Sequence, residues 1–153
     1  QDVDVLHYGS VGASPRREIL DALDASGLVV KRLFGVYGKE RDDWIARSKV
    51  VLNLHFYPKG VFEIFRVSHL LANKKCVVTE SGGCDLQLED FAQRTCEYAD
   101  RDRIVSTCQM LVKLDDMRRS IETRGFETFR ALDFVDTVRR ALDASVSTDA
   151  RPV

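Results

Sequence analysis

The stretch from Val50 to Gly83 constrains the fold more than any other, because it reads as strand, loop, buried helix, strand and glycine turn. Val50-Val51-Leu52-Asn53-Leu54-His55-Phe56-Tyr57 is a nearly unbroken apolar run rich in β-branched and aromatic residues, the pattern of a strand covered on both faces. Pro58-Lys59-Gly60 ends it. From Val61 to Lys75, apolar side chains at 61, 62, 64, 65, 67, 70 and 71 predict a helix with a wide apolar stripe, and so a largely buried one. Cys76-Val77-Val78-Thr79 is another strand, and Glu80-Ser81-Gly82-Gly83 turns away from it. A βαβ unit of this kind calls for parallel strands joined by a right-handed crossover.

The rest of the chain repeats the alternation. Val3 to Tyr8 is a first strand, closed by Gly9-Ser10-Val11-Gly12-Ala13-Ser14-Pro15. Ser14 suits an N-cap with Pro15 at the first helical position, and the helix to about Ser26 buries Ile19, Leu20 and Leu23 before Gly27 stops it. Leu28 to Phe34 is the second strand, Gly35-Val36-Tyr37-Gly38 the next loop, and Lys39 to Ser48 a short helix burying Trp44 and Ile45. After Gly83, Leu86 to Ala92 is a short helix and Thr95 to Tyr98 a weak last strand. Asp100 to about Ala144 reads as helical with a break near Gly125, and 145–153 as a flexible tail. Five strands alternating with helices imply an α/β domain over 1–144, a doubly wound, mainly parallel sheet flanked by helices with a helical C-terminal segment.

Composition bounds the partners. The 153 residues carry 23 basic and 24 acidic side chains, a formal charge of −1, so no global field favours nucleic acid or an anionic membrane. No apolar run approaches the roughly 20 residues of a membrane span, and the N-terminus lacks a signal pattern. Gln1 in place of Met reads as a piece of a longer protein. The cysteines at 76, 84, 96 and 108 match no CxxC pattern, which favours reduced thiols and a cytoplasmic setting. Three histidines without HxH or HxxxH spacing give no metal site, and no cofactor is expected.

In a doubly wound sheet the ligand crevice lies outside the carboxyl ends of the strands. Those ends carry His7-Tyr8-Gly9-Ser10, Gly35-Val36-Tyr37-Gly38, His55-Phe56-Tyr57 and Glu80-Ser81-Gly82-Gly83. The first loop leads into a helix whose first turn holds Arg16 and Arg17, where backbone N–H groups and guanidiniums would attract a phosphate; a capped helix with solvated arginines is the alternative. Ser81-Gly82-Gly83 could bring backbone donors close to a diphosphate, or be a plain turn. Glu63 and Arg66, at i and i+3, either pair with each other or leave Glu63 to accept hydroxyl hydrogen bonds from a ribose or sugar. His55 and His7 are either satisfied core residues or, facing a cleft, groups able to donate to phosphate or move a proton. Asp2-Val3-Asp4 and Asp100-Arg101-Asp102 match a DxD pattern by chance, with Asp100 or Asp102 a helix cap.

The run from Phe62-Glu63-Ile64-Phe65-Arg66 through Leu70-Leu71-Ala72-Asn73-Lys74-Lys75 to Cys76-Val77-Val78-Thr79-Glu80-Ser81-Gly82-Gly83 resembles the donor-binding segment of group 1 glycosyltransferases with the GT-B fold. Phe34-Gly35-Val36-Tyr37-Gly38, the helix with Trp44, and Val50 to Tyr57 are similar to a bacterial subgroup of them, so the resemblance covers roughly residues 3 to 100. It implies a Rossmann-like domain that binds a nucleotide-diphosphate sugar without metal, beside a second Rossmann-like domain supplying the acceptor site. The broader family carries two glutamates eight residues apart; counting back from Val77-Val78, the second falls at His69 and the first at Val61, two residues from Glu63. The resemblance gives the diphosphate role to Ser81, Gly82 and Gly83 with Arg16 or Arg17 as charge partners; joined to the strand-end reading, the expected set is Gly9, Ser10, Arg16, Tyr37, Ser81, Gly82 and Gly83 for the nucleotide, with His55 and Glu63 as catalytic groups.

Overall fold

The computed structural model describes residues 1–12, 15–56, 62–82 and 86–149. Five strands, β1 (Val3–Tyr8), β2 (Val30–Leu33), β3 (Ser48–Asn53), β4 (Cys76–Glu80) and β5 (Glu97–Ala99), form one sheet in the order β2-β1-β3-β4-β5. Every pairing is parallel. The helices are α1 (Pro15–Ala25), α2 (Gly38–Arg47), α3 (Ile64–Ala72), α4 (Leu86–Thr95), α5 (Ile104–Lys113), α6 (Asp115–Arg130) and α7 (Phe134–Asp149), with a 3-10 turn at Arg101–Arg103. This is a Rossmann-like α/β fold, and its strand order reverses direction between β1 and β3.

Strand alternation sorts the apolar side chains into two layers. Val5 aligns with Val50 and Val50 with Cys76, while the next register row joins Leu6, Val51 and Val77. The first row packs with Ile19, Leu20 and Leu23 of α1 and with Ile104, Cys108 and Leu111 of α5. The second packs with Ile45 of α2, Val67, Leu70 and Leu71 of α3, and Ala92 of α4. Because both faces are covered, β3 and β4 have no solvent side to write into the sequence, which explains their continuous apolar runs.

Several boundaries differ from the sequence expectation. The third strand starts at Ser48 and leaves the ladder after Asn53, four residues before Tyr57, because the Leu54 carbonyl turns to the Arg16 guanidinium. The helix expected from Val61 begins at Ile64, and the second strand is confined to Val30–Leu33. Gly125 does not break the C-terminal helices. It sits buried inside α6, where a Cβ would stand 2.5 Å from the Thr95 carbonyl oxygen, so the missing side chain lets α6 press onto the end of α4. The chain breaks instead at Leu114 and between α6 and α7. Helix α7 continues to Asp149, and 150–153 lie outside the described residues, as do Ser14 and the Pro58-Lys59-Gly60 stop.

Cys76, Cys96 and Cys108 are buried free thiols. Burial pushes Cys96 and Cys108 up to about 12 and Cys76 higher still, so all three stay protonated. Among the described residues no helix is long and apolar enough to cross a membrane.

Candidate functional site: a charged crevice at the strand ends

The carboxyl ends of β1 and β3 part where the strand order reverses, and an arginine–glutamate–arginine cluster sits there. Arg16 comes from the first turn of α1, and its side chain is only 3% exposed. Its Nε–H donates to the Leu54 carbonyl at 3.0 Å and its Nη1 to the Ser10 carbonyl at 2.7 Å. Its Nη2 also donates to the Leu54 carbonyl and pairs with Glu63 Oε1 at 2.8 Å. Arg16 therefore ties the loop after β1, the end of β3 and the entry to α3 together. Buried in this way it is a brace rather than the solvated arginine that a capped helix would carry.

Glu63 sits at the N-cap of α3, outside the first turn expected for it, and its second oxygen meets Arg66 Nη2 at 2.6 Å. The pairing of Glu63 with Arg66 is thus present, with Arg16 as a third member. Both carboxylate oxygens are engaged, yet the side chain stays 31% exposed and a carboxylate has about four acceptor positions, so room for a further donor remains. The Arg66 guanidinium lies 5.0 Å from the Tyr8 ring centroid and is 13% exposed; its buried Nη1 has no hydrogen-bond partner among the described residues. Gly9 makes this approach possible. A Cβ there would lie 2.8 Å from Arg66 Nη2, and the backbone is in the left-handed region at φ 119°. Gly12 has the same function on the other side, since a Cβ would lie 2.7 Å from the Phe56 ring.

Beside Arg66 a cavity of about 250 Å³ opens between the loops after β1 and β2, walled by Tyr8, Gly9, Phe34, Val36, Tyr37 and Arg41. Tyr37 is 78% exposed at its mouth. Flat apolar walls with a guanidinium at one end suit a planar ring attached to an anion.

His7 and His55 lie beneath the crevice. His7 is fully buried, and neither ring nitrogen reaches hydrogen-bond geometry with a group among the described residues, although the Ser10 backbone lies close. Burial, reinforced by the positive charges of Arg16 and Arg66, pushes it down to about 3, so the ring is neutral. The His55 backbone N–H donates to Glu80 Oε2 at 2.9 Å, and the ring Nδ1 is 3.9 Å from the same oxygen. Burial holds His55 below its ordinary value against the opposing pull of Glu80, and its Nε2 has no hydrogen-bond partner among the described residues. Glu80 is itself held by Arg101, whose Nε–H donates to Oε1 at 2.7 Å.

The structure brings Gly9, Ser10 and Tyr37 to the wall of one cavity, while Arg16 and Glu63 line no part of it and are joined to it through the Glu63–Arg66 pair. Ser81 and Gly82 turn toward β5. The Gly82 N–H donates to the Tyr98 hydroxyl at 2.7 Å and the Ser81 hydroxyl donates to Asp100. Gly83 lies outside the described residues. Sequence reasoning named Arg66 only as a partner for Glu63, and placed Glu80 at a strand end and Arg101 in a chance DxD match without pairing them. A glutamate ending a fully buried strand was the available sign for Glu80, since a buried carboxylate needs a cation.

Fold and crevice define a Rossmann-like domain with a cationic cluster at its switch point. No family model matches the chain. Over 107 residues, 68% of this chain, it is 34% identical to an uncharacterized protein, L140, of Acanthamoeba polyphaga mimivirus. The match takes in 34% of that relative, so this chain spans about a third of its length.

Proposed function

We propose that this domain holds the diphosphate of a nucleotide-sugar, as the donor-binding half of a glycosyltransferase whose second Rossmann-like domain supplies the acceptor site. The observation that carries the proposal is the Arg66 guanidinium, a cation at the switch point that lines the cavity and whose buried Nη1 has no hydrogen-bond partner among the described residues. Together with the N-terminal end of α3 it would stabilise the charge that builds on a departing diphosphate. Tyr37 and Phe34 would flank the base, the free acceptor positions of Glu63 would take a ribose or sugar hydroxyl, and His55 would stand closest to the transferred group. The resemblance of residues 62–83 to donor-binding segments supports the same assignment.

A ligand that binds only the folded protein at a hundred times its dissociation constant stabilises it by about 2.7 kcal/mol. For a domain of this size that is roughly 5–10 °C in Tm. One nucleotide-sugar among UDP-, GDP-, ADP- and dTDP-glucose should give such a shift, and Arg66→Ala should remove it while Arg17→Ala keeps it. A shift retained in Arg66→Ala would refute the assignment.

The double engagement of Glu63 by Arg16 and Arg66 favours a second reading, a non-catalytic ligand-sensing module. Slow release of free sugar from the bound nucleotide-sugar, lost in Glu63→Gln, separates the enzyme from the sensor.

A further inference from the structure

The amino ends of the strands, opposite the crevice, border a second cavity of about 450 Å³, lined by Gln1, Lys74, Arg118, Arg119, Glu122 and Thr123. Lys74 follows α3 and caps it in the left-handed region at φ 51°, its N–H donating to the Leu71 carbonyl at 2.9 Å. The other cations come from the first turns of α6. Arg118 is buried; it pairs with Asp115 at 2.7 Å and donates to the Leu111 carbonyl at 2.9 Å, but its Nε has no hydrogen-bond partner among the described residues. Lys74 and Arg119 have no ion-pair partner among the described residues.

The local charge is unbalanced. Lys75, buried beneath, donates its Nζ to the Ser48 carbonyl at 2.6 Å, and the nearby Lys49 is already paired with Asp4 at 2.8 Å. That leaves Lys74, Arg118 and Arg119 around the cavity, with Asp115 and Glu122 as the nearby acids. Burial raises the proton affinity of Glu122 against the pull of Lys75 and the arginines, and burial lowers that of Lys75 behind them.

We propose that this cavity binds a doubly charged oxyanion, the phosphate group of a small phosphorylated molecule, with Lys74 and Arg119 as its direct donors and Arg118 behind them. The cations outnumber the acids around the cavity, and an ammonium and a guanidinium on one wall, neither held by an ion pair among the described residues, supply the charge-assisted hydrogen bonds phosphate favours. The volume falls within the roughly 300–1,000 Å³ of small-molecule sites, so the anion has room for its carrier. The site is separate from the crevice and does not depend on the glycosyltransferase proposal.

The test is a titration of the whole chain with inorganic phosphate at constant ionic strength, followed by ¹H–¹⁵N NMR. The amides of residue 74 and of 118–123 should shift and saturate together. Lys74→Gln combined with Arg119→Gln should weaken that binding at least tenfold while Tm stays within a few degrees, since both side chains are exposed. Arg17→Ala should leave it unchanged. Shifts that rise linearly without saturating, that sodium chloride reproduces, or that persist in the double variant would overturn the proposal.

Discussion

Gly125→Ala isolates what holds the C-terminal helices on the domain. On propensity alone alanine in the middle of α6 should stabilise the helix by about 1 kcal/mol. Packing opposes this. The new Cβ would stand 2.5 Å from the Thr95 carbonyl oxygen and 2.8 Å from Leu71 Cδ2, whereas carbon and carbonyl oxygen ordinarily approach no closer than about 3.3 Å. Leu71 can rotate aside, but the Thr95 backbone is fixed by the end of α4, so α6 must retreat by nearly 1 Å. Overpacking of that kind costs about 1–3 kcal/mol, and the rigid obstruction places it at the upper end. The net effect is a loss of about 2 kcal/mol, or roughly 4–8 °C in Tm for a domain of this size. Differential scanning calorimetry with urea unfolding reads it directly. Ser120→Ala, exposed on the same helix, should be neutral or slightly stabilising. An unchanged or higher Tm for Gly125→Ala would refute the claim that the glycine is there for close approach.

Arg16→Met should cost about 2–4 kcal/mol in urea unfolding, because it strands the Leu54 and Ser10 carbonyls and removes one of the two cations on Glu63. Gly9→Ala should cost about 1–2 kcal/mol through its left-handed backbone and displace Arg66, so any ligand held by Arg66 should weaken more than stability alone accounts for. His7 makes the domain acid-sensitive. Its folded value of about 3 lies below the ordinary 6.5, so between those limits the unfolded chain binds the extra proton, and stability falls as pH falls. The slope is at most about 1.4 kcal/mol per pH unit, and urea unfolding at pH 7, 6 and 5 should show it reduced in His7→Leu.

The sheet was legible because burial on both faces leaves an unambiguous mark, and Val50 to Leu52 and Cys76 to Val78 are apolar whichever way each side chain points. The buried helix α3 showed in its stripe of Val67, Leu70 and Leu71. Gly125 misled because a glycine that permits close approach and one that ends a helix look the same in sequence; only the position of Thr95 distinguishes them. The crevice was located from the strand-end rule, but the work of its residues was not. Arg16 looked like a surface cation because nothing local shows that the Leu54 carbonyl leaves the β-ladder and needs a donor. Ser81 and Gly82 looked like free donors because Tyr98 and Asp100, which receive their hydrogens, come from the next strand and the turn after it.

Calorimetric titration with UDP, GDP, ADP and dTDP tests the donor-site proposal most directly. Saturable binding of one diphosphate at a single site, weakened at least tenfold by Arg66→Ala and retained in Arg17→Ala, is the predicted result. Binding by none of the four, or binding that Arg66→Ala leaves intact, would contradict it.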